Sequence, residues 1–376
     1  MRASLRGWII LIMTIAISVA AAREFRAMHA PEPIVAGPGV VKRALLSDYA
    51  PALKETAADT PVYFLGGAVP GPTLLIFGGT HPQEIAGMLT AVVVTENVEL
   101  ARGRIIVIPQ MNRSGFTYTE PLEAFPHTYA IGSRWFRVGM RLTNPIHQWP
   151  DPDLYLHHPS GEPLIGTEAR NLNRAFPGRA EGRYTERLAH AVLNLVRQEQ
   201  ADIVLDLHEA YPEYPIINML VVHERAAELG ALTQLALQSR HIAMNLMPSP
   251  KRLHGLSHRE LGDHTNALAL LAETANPAMG RFRGRTDEAL VVHGRDSNYV
   301  EAARLRRLFV PFDEAGHPLS DRVARHLATI EEIIAAYNEA NALDSKRTFE
   351  VRGLPRYDEV RKGGLEPYLR PVAQRP

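Results

Sequence analysis

Three separate stretches of this chain run from a short apolar segment onto residues that bind metals or move protons. Residues 73–77 lead through Gly78 and Gly79 into Thr80-His81-Pro82-Gln83-Glu84; residues 203–207 lead to His208; residues 268–272 lead to Glu273. A histidine and a glutamate three apart in a first helical turn converge on one point. An imidazole nitrogen and a carboxylate oxygen are two of the three protein ligands of a catalytic zinc site. Taken alone, such a pair occurs often by chance and reads first as an ordinary surface helix pair. His208 supplies the third ligand type, and Asp206, two residues back, shares its strand face as either an outer partner or a strand end. Ligands of open α/β sheets bind just outside the carboxyl ends of the strands. The common placement of His81, Glu84, His208 and Glu273 is the strongest feature of the sequence. With no cysteine among the 376 residues, only His, Asp and Glu remain as metal ligands.

The elements that must position these groups are short and alternate in type. Residues 62–65, 73–77, 105–108, 203–207, 216–222 and 268–271 read as buried strands bounded by turn residues. Residues 82–94, 184–198 and 320–342 carry the periodicity of amphipathic helices. Thr80 and Gln83 form a capping box with Pro82 in the first turn, which places His81 and Glu84 at a helix start. The pattern predicts an α/β fold: a mostly parallel sheet with helices on both faces.

Residues 61–280 form the expected catalytic domain, preceded by a proline-broken lead-in over 23–60 and followed by a helical extension and wrapping tail over 281–376. Within it, residues 115–170 lack periodicity but are rich in aromatics, including Phe116, Phe125, Tyr129, Trp135 and Trp149. That composition fits a loop packed around a site rather than a disordered one. Residues 1–22 combine Arg2 and Arg6 with an uncharged apolar run and small residues before Arg23, the pattern of an export signal or an uncleaved anchor. The body is therefore expected in the periplasm or secreted. Forty-one basic residues balance forty-one acidic ones, which argues against a nucleic-acid partner and leaves the N-terminus as the sole membrane contact.

Four motifs in order resemble the succinylglutamate desuccinylase/aspartoacylase family of the zinc carboxypeptidase-like fold. They are Gly78-Gly79-Thr80-His81-Pro82-Gln83-Glu84, Asn171-Leu172-Asn173-Arg174-Ala175-Phe176-Pro177-Gly178, Asp206-Leu207-His208 and Leu271-Ala272-Glu273-Thr274, within residues 60–280. The resemblance implies a mixed, largely parallel sheet flanked by helices, one zinc ion per chain and hydrolysis of an amide or peptide bond next to a carboxylate. His81, Glu84 and His208 would be its ligands. Glu273 would be the base that activates water and then protonates the leaving amine, and Asn173 with Arg174 would grip the substrate carboxylate. Pro82-Gln83 replaces the family's Gly-Asn, and residues after 281 depart from the small β domain of several members. No residue stands out as the oxyanion-stabilising arginine; Arg170 is the first choice and Arg113 the second.

Other polar groups have competing readings. His127, His147, His157 and His158 with Asp151 and Asp153 are solvated loop residues or a second metal site. His258-Arg259-Glu260 and Asp263-His264 line the pocket or cap a helix, and Tyr211 and Tyr214 lie over the substrate or pack at its rim. Glu209 is the rival for general base unless the strand persists and turns it away. The expected substrate is a small N-acyl amino acid or peptide, with a zinc-retaining non-catalytic binding protein or an esterase as alternatives. A serine-hydrolase reading fails for want of a Gly-x-Ser-x-Gly elbow.

Overall fold

The structure, a computed structural model, describes residues 4–27, 32–119 and 128–372. Phe125 and His127 lie outside them. Helix α1 (Leu5–Ala27) comes first, followed by strands β1 (Val40–Leu45), β2 (Pro61–Gly66) and β3 (Val69–Gly78), helix α2 (Ile85–Asn97) and strand β4 (Glu99–Ile108). Two hairpins, β5 (Thr128–Ile131) with β6 (Arg134–Arg137) and β7 (Leu154–Leu156) with β8 (Pro163–Ile165), occupy the irregular stretch. Next come α3 (Tyr184–Gln198), β9 (Ile203–Ala210), β10 (Met219–Val222), α4 (Ala227–Ser239), β11 (Asn245–Pro248), α5 (Ser257–His264) and β12 (Leu268–Ala275). The chain closes with α6 (Glu288–His293), α7 (Ser297–Arg304), α8 (Leu319–Ala340), β13 (Glu350–Arg352) and α9 (Tyr357–Gly363).

The main sheet runs β1-β2-β4-β3-β9-β12-β10-β11, with β13 added along β4. β4, β3, β9 and β12 are parallel at its centre, and antiparallel pairs flank them. This is the mixed, largely parallel sheet expected. The central strands are apolar on both faces because helices cover both. On one side Ile203, Leu205 and Leu207 pack with Leu89 and Val92 of α2, Leu229 of α4 and Val323 and Leu327 of α8. On the other, Leu75, Phe77 and Val204 meet Leu188, Val192 and Leu195 of α3. α2 crosses the sheet closely enough that a Cβ at Gly87 would lie 2.3 Å from the Leu207 carbonyl oxygen, so no larger residue fits there.

Several elements extend beyond the sequence expectations. β3, β4, β9 and β12 outrun the predicted apolar runs, so His208 and Glu273 lie within strands rather than past their ends. Segments outside residues 61–280 also join the same sheet and core: β1 pairs with β2, β13 pairs with β4, and α8 packs beneath α2 and α4. In the irregular stretch, Phe116, Tyr129, Phe136 and Tyr155 are buried, whereas Trp135 and Trp149 are exposed. Helix α1 is long and apolar enough to cross a membrane, and none of its apolar window is buried.

Candidate metal centre

β3 stops at Gly78, opposite Leu207, while β9 and β12 continue. The chain turns at Gly79, whose φ of +70° is a left-handed conformation that glycine adopts at little cost. His81 and Glu84 lie in this turn, with the Glu84 amide donating to the His81 carbonyl at 2.9 Å, and α2 begins only at Ile85. The expected capping box is absent. Thr80 instead donates its hydroxyl to Asp206 Oδ1 (2.9 Å), tying the turn to β9.

On β9, Asp206 and His208 share one face, and parallel register sets Glu273 of β12 beside His208. The His81, Glu84 and His208 ligand atoms lie within 4.8 Å of one another, and all three residues are buried. Glu84 Oε1 is 2.6 Å from His81 Nδ1, and Oε2 is 2.7 Å from His208 Nδ1. The outer ring nitrogens are committed elsewhere. His208 Nε2 lies 2.7 Å from Asp206 Oδ2, a group that only accepts when ionised. His81 Nε2 lies 3.0 Å from Asn171 Oδ1. The Asn173 backbone N–H donates to that same oxygen, and Asn171 Nδ2 donates to Glu168, which fixes the amide's orientation. Both Nε2 atoms therefore face acceptors, and both Nδ1 atoms face the one Glu84 carboxylate. Three groups converging in this way could hold a metal ion, and two imidazoles with one carboxylate match the donor set of catalytic zinc sites.

The titration tendencies agree with this crowding. Burial and the Arg141 charge depress His81 to about 4, against the pull of Glu84. His208 is also disfavoured by burial, but Asp206 and Glu84 outweigh that and raise it well above the usual imidazole value. Glu84 is held far below the carboxylate range: the two histidines overcome its desolvation. Glu273 goes the other way. Burial pushes it well above the carboxylate range with Glu84 adding, while His208 and Arg141 oppose. Its Oε2 has no hydrogen-bond partner.

These groups open onto a cleft of about 540 Å³, also lined by Arg141, Asn173, Arg174, Tyr211 and Tyr214. Asn173 Oδ1 accepts from the Ser257 amide (2.8 Å), anchoring the turn on α5. Arg174 donates to the Asn173 carbonyl at 2.7 Å and lies 3.9 Å from Glu168. Burial and the Arg141 charge lower its pKa, so this cation is poorly compensated by protein.

Arg170 does not line the cleft. Its guanidinium makes a two-pronged pair with Asp151 (2.8 and 3.0 Å) and donates to the Thr143 carbonyl. Arg113 donates to the Asp59 carbonyl and is likewise away from the cleft. The arginine beside the metal centre is Arg141, from the irregular stretch, 3.3 Å from His81 Nδ1 and 3.5 Å from Glu84 Oε1. Its sequence neighbourhood carries no motif, and only the folded stretch brings it there. Asn171 was legible as part of a motif, but its partnership with His81 was not.

Glu209 faces the opposite side of β9, accepting from the Ala86 amide at the start of α2, Asn276 and Arg322. The persisting strand thus turns it away from the water-binding side. His258 lines the cleft, whereas Arg259 pairs with Asp263 and Glu224. His147 bonds Ser114, and exposed His158 joins no acidic cluster among the described residues. His157 groups with His254 and Glu260, but its ring nitrogens are taken by Ser160 and the Phe176 carbonyl.

Residues 160–283 match a family model described as the succinylglutamate desuccinylase/aspartoacylase catalytic domain. An N-alpha-acetyl-L-2,4-diaminobutyric acid deacetylase from Halomonas elongata is 26% identical over 155 residues, covering 41% of this chain and 33% of that protein. The match thus spans about a third of the relative's length. Among solved structures, a metallo-carboxypeptidase from Burkholderia cenocepacia aligns with 81% of this chain and 66% of its own, at 14% identity and a TM-score of 0.46. A succinylglutamate desuccinylase/aspartoacylase from Rhodobacter sphaeroides aligns with 57% of this chain and 51% of its own, at 21% identity and a TM-score of 0.35. The match over residues 160–283 shows that this part of the chain is similar to the succinylglutamate desuccinylase/aspartoacylase catalytic domain, in line with the ordered motifs.

Proposed function

We propose that the protein is an exported zinc-dependent hydrolase that cleaves an amide bond next to a carboxylate in an N-acyl amino acid or small peptide. The observation that carries this reading is the convergence of two histidine Nδ1 atoms and the Glu84 carboxylate beside Glu273. Bound there, zinc would polarise the scissile carbonyl and lower the pKa of water to about 7. His81, Glu84 and His208 hold the ion, with Asn171 and Asp206 orienting the two rings from outside.

The remaining residues act on substrate. Arg174, with Asn173 beside it, takes the carboxylate, a task suited to an undercompensated guanidinium in a cleft. Glu273 accepts the proton of the attacking water and returns it to the leaving nitrogen, for which a raised pKa is the useful direction. Arg141 takes the oxyanion role in place of Arg170, because it alone of these two faces the centre. Helix α1 supports export or anchoring by its length and apolar character.

Purified full-length protein is expected to carry about one zinc per chain and to hydrolyse N-acetyl amino acids. Chelation should abolish turnover and added zinc restore it. Stoichiometric zinc with no hydrolysis of any acyl-amino acid, peptide or ester would instead identify a non-catalytic binding protein. Hydrolysis of esters but not amides would assign the esterase reading.

A further inference from the structure

Beyond the metal, the cleft floor changes character in register. The level of His208 and Glu273 gives way, one step along the same face, to Asp206, Leu271, Val221 and Met247 on adjacent strands. Asp206 is consumed by Thr80, Ser257 and His208, so the accessible part of this level is Leu271, Val221 and Met247, all of which line the cleft. The loop between β11 and α5 adds Leu253 and Leu256 to the lining. That loop is pinned at both ends: the Ser249 amide donates to the Val222 carbonyl, and Ser249 Oγ meets His258 Nε2 at 2.9 Å.

The same loop touches the carboxylate-binding turn. The Phe176 amide donates to the Gly255 carbonyl, and a Cβ at Gly255 would lie 2.5 Å from the Arg174 carbonyl oxygen. Arg174 and the apolar wall are therefore built against each other. His258 is the titratable group on this wall, and burial with neighbouring cations depresses it to about 3, so it is neutral. The arginines and carboxylates of the cleft come from other segments: Glu84 of the metal turn, Arg141 of the irregular stretch, Arg174 of its own turn, Glu209 of β9, Glu273 of β12, and Arg281 and Arg283.

We propose that the cleft selects substrates whose carboxylate-bearing residue has an uncharged apolar side chain, seated on Leu271, Val221 and Met247 beneath Leu253 and Leu256. This rests on the functional reading above for where the carboxylate binds. A charged side chain placed there would lose water without gaining a partner, and each methylene lost from a well-filled apolar pocket lowers discrimination about 10-fold or more. An acidic or basic residue at that position is therefore rejected, which separates this chain from hydrolases of acyl-aspartate.

Two measurements on the zinc-loaded full-length protein test this separately from the reaction. The first compares kcat/KM for N-acetyl derivatives of Leu, Met, Phe, Ala, Asp and Lys. The second is calorimetric binding of free L-leucine, L-aspartate and L-lysine to the Glu273→Gln variant. Leu, Met and Phe derivatives are expected to exceed Asp and Lys by at least about 10-fold, and leucine to bind at least about 10-fold more tightly than either charged amino acid. Leu253→Arg, in the loop, should move the preference toward N-acetyl-aspartate while zinc content stays unchanged. Equal or tighter binding of aspartate or lysine overturns the inference whatever the turnover. Preferential leucine binding with no hydrolysis of any derivative sustains the apolar pocket and overturns the hydrolase reading instead.

Discussion

At the residue scale, the centre is defined by what each polar atom has left to offer. The Asn171 side-chain oxygen and the Asp206 carboxylate occupy the outer nitrogens of the two histidines, which turns both Nδ1 atoms toward Glu84. Asp206→Ala and Asn171→Ala should each weaken zinc binding by roughly 10- to 100-fold, the usual cost of removing an outer partner, while leaving three ligands. Competition against a chromophoric chelator measures this, and unchanged affinity would mean that the partners do not set the ring orientation. Glu273→Gln should keep its zinc and lose about 10²–10⁴ in kcat, since it removes only proton transfer. Full activity in that variant would exclude Glu273 as the base. The two arginines separate in the same way. Arg141→Ala should cost roughly 10²–10³ in kcat with little change in stability. Arg170→Ala should cost stability instead, roughly 3 kcal/mol by denaturant unfolding, because it strands Asp151. A reversed pattern would return the oxyanion role to Arg170.

At the element scale, the strands that carry His208 and Glu273 were legible because buried parallel strands are short apolar runs, and a polar residue at their ends stands out. What was not legible is how far they run. β9 continues through Glu209 to Ala210, and that continuation decides that Glu209 faces away. The turn carrying His81 and Glu84 read as a helix start because Thr80 and Gln83 mimic a capping box, yet the Thr80 hydroxyl finds Asp206 across the sheet. Local pattern cannot see a partner 126 residues away. Arg141 escaped for the same reason: its position depends on the packing of an aperiodic stretch, not on any repeat. Glu209 gains a structural role in exchange. It joins the start of α2, the end of β12 and the buried Arg322 of α8, which ties a C-terminal helix to the segment following Glu84. Arg322→Ala should therefore destabilise the protein by about 3–5 kcal/mol, as expected when one partner of a buried pair is removed. Urea unfolding provides the measurement, and a loss below about 1 kcal/mol, the range of surface pairs, would show that the pair is solvated.

At the scale of the whole molecule, charge and hydrophobicity are distributed unequally. The chain is neutral overall, so attraction of an anionic substrate must come from the local field of Arg141 and Arg174 in the cleft rather than from a global one. Apolar surface is concentrated in α1, where Trp8, Ile10, Ile12, Ile15 and Ile17 are exposed and the helix lies outside the two main cores. A bare helix of 23 residues with mean hydropathy 2.0 over its best window is costly in water. A bilayer relieves that cost, and about 20 apolar residues suffice to span its hydrocarbon core. Arg6 lies in the first turn of the helix and Arg2 precedes it in the sequence, so the positive end is expected to stay in the cytoplasm and the catalytic body to emerge on the other side. A C-terminal fusion to alkaline phosphatase, which folds only in an oxidising compartment, should then be active. The same fusion lacking residues 1–27 should be inactive. Activity from both fusions, or from neither, would remove α1 as the exporting element, because only a segment that carries the body across can make the two differ.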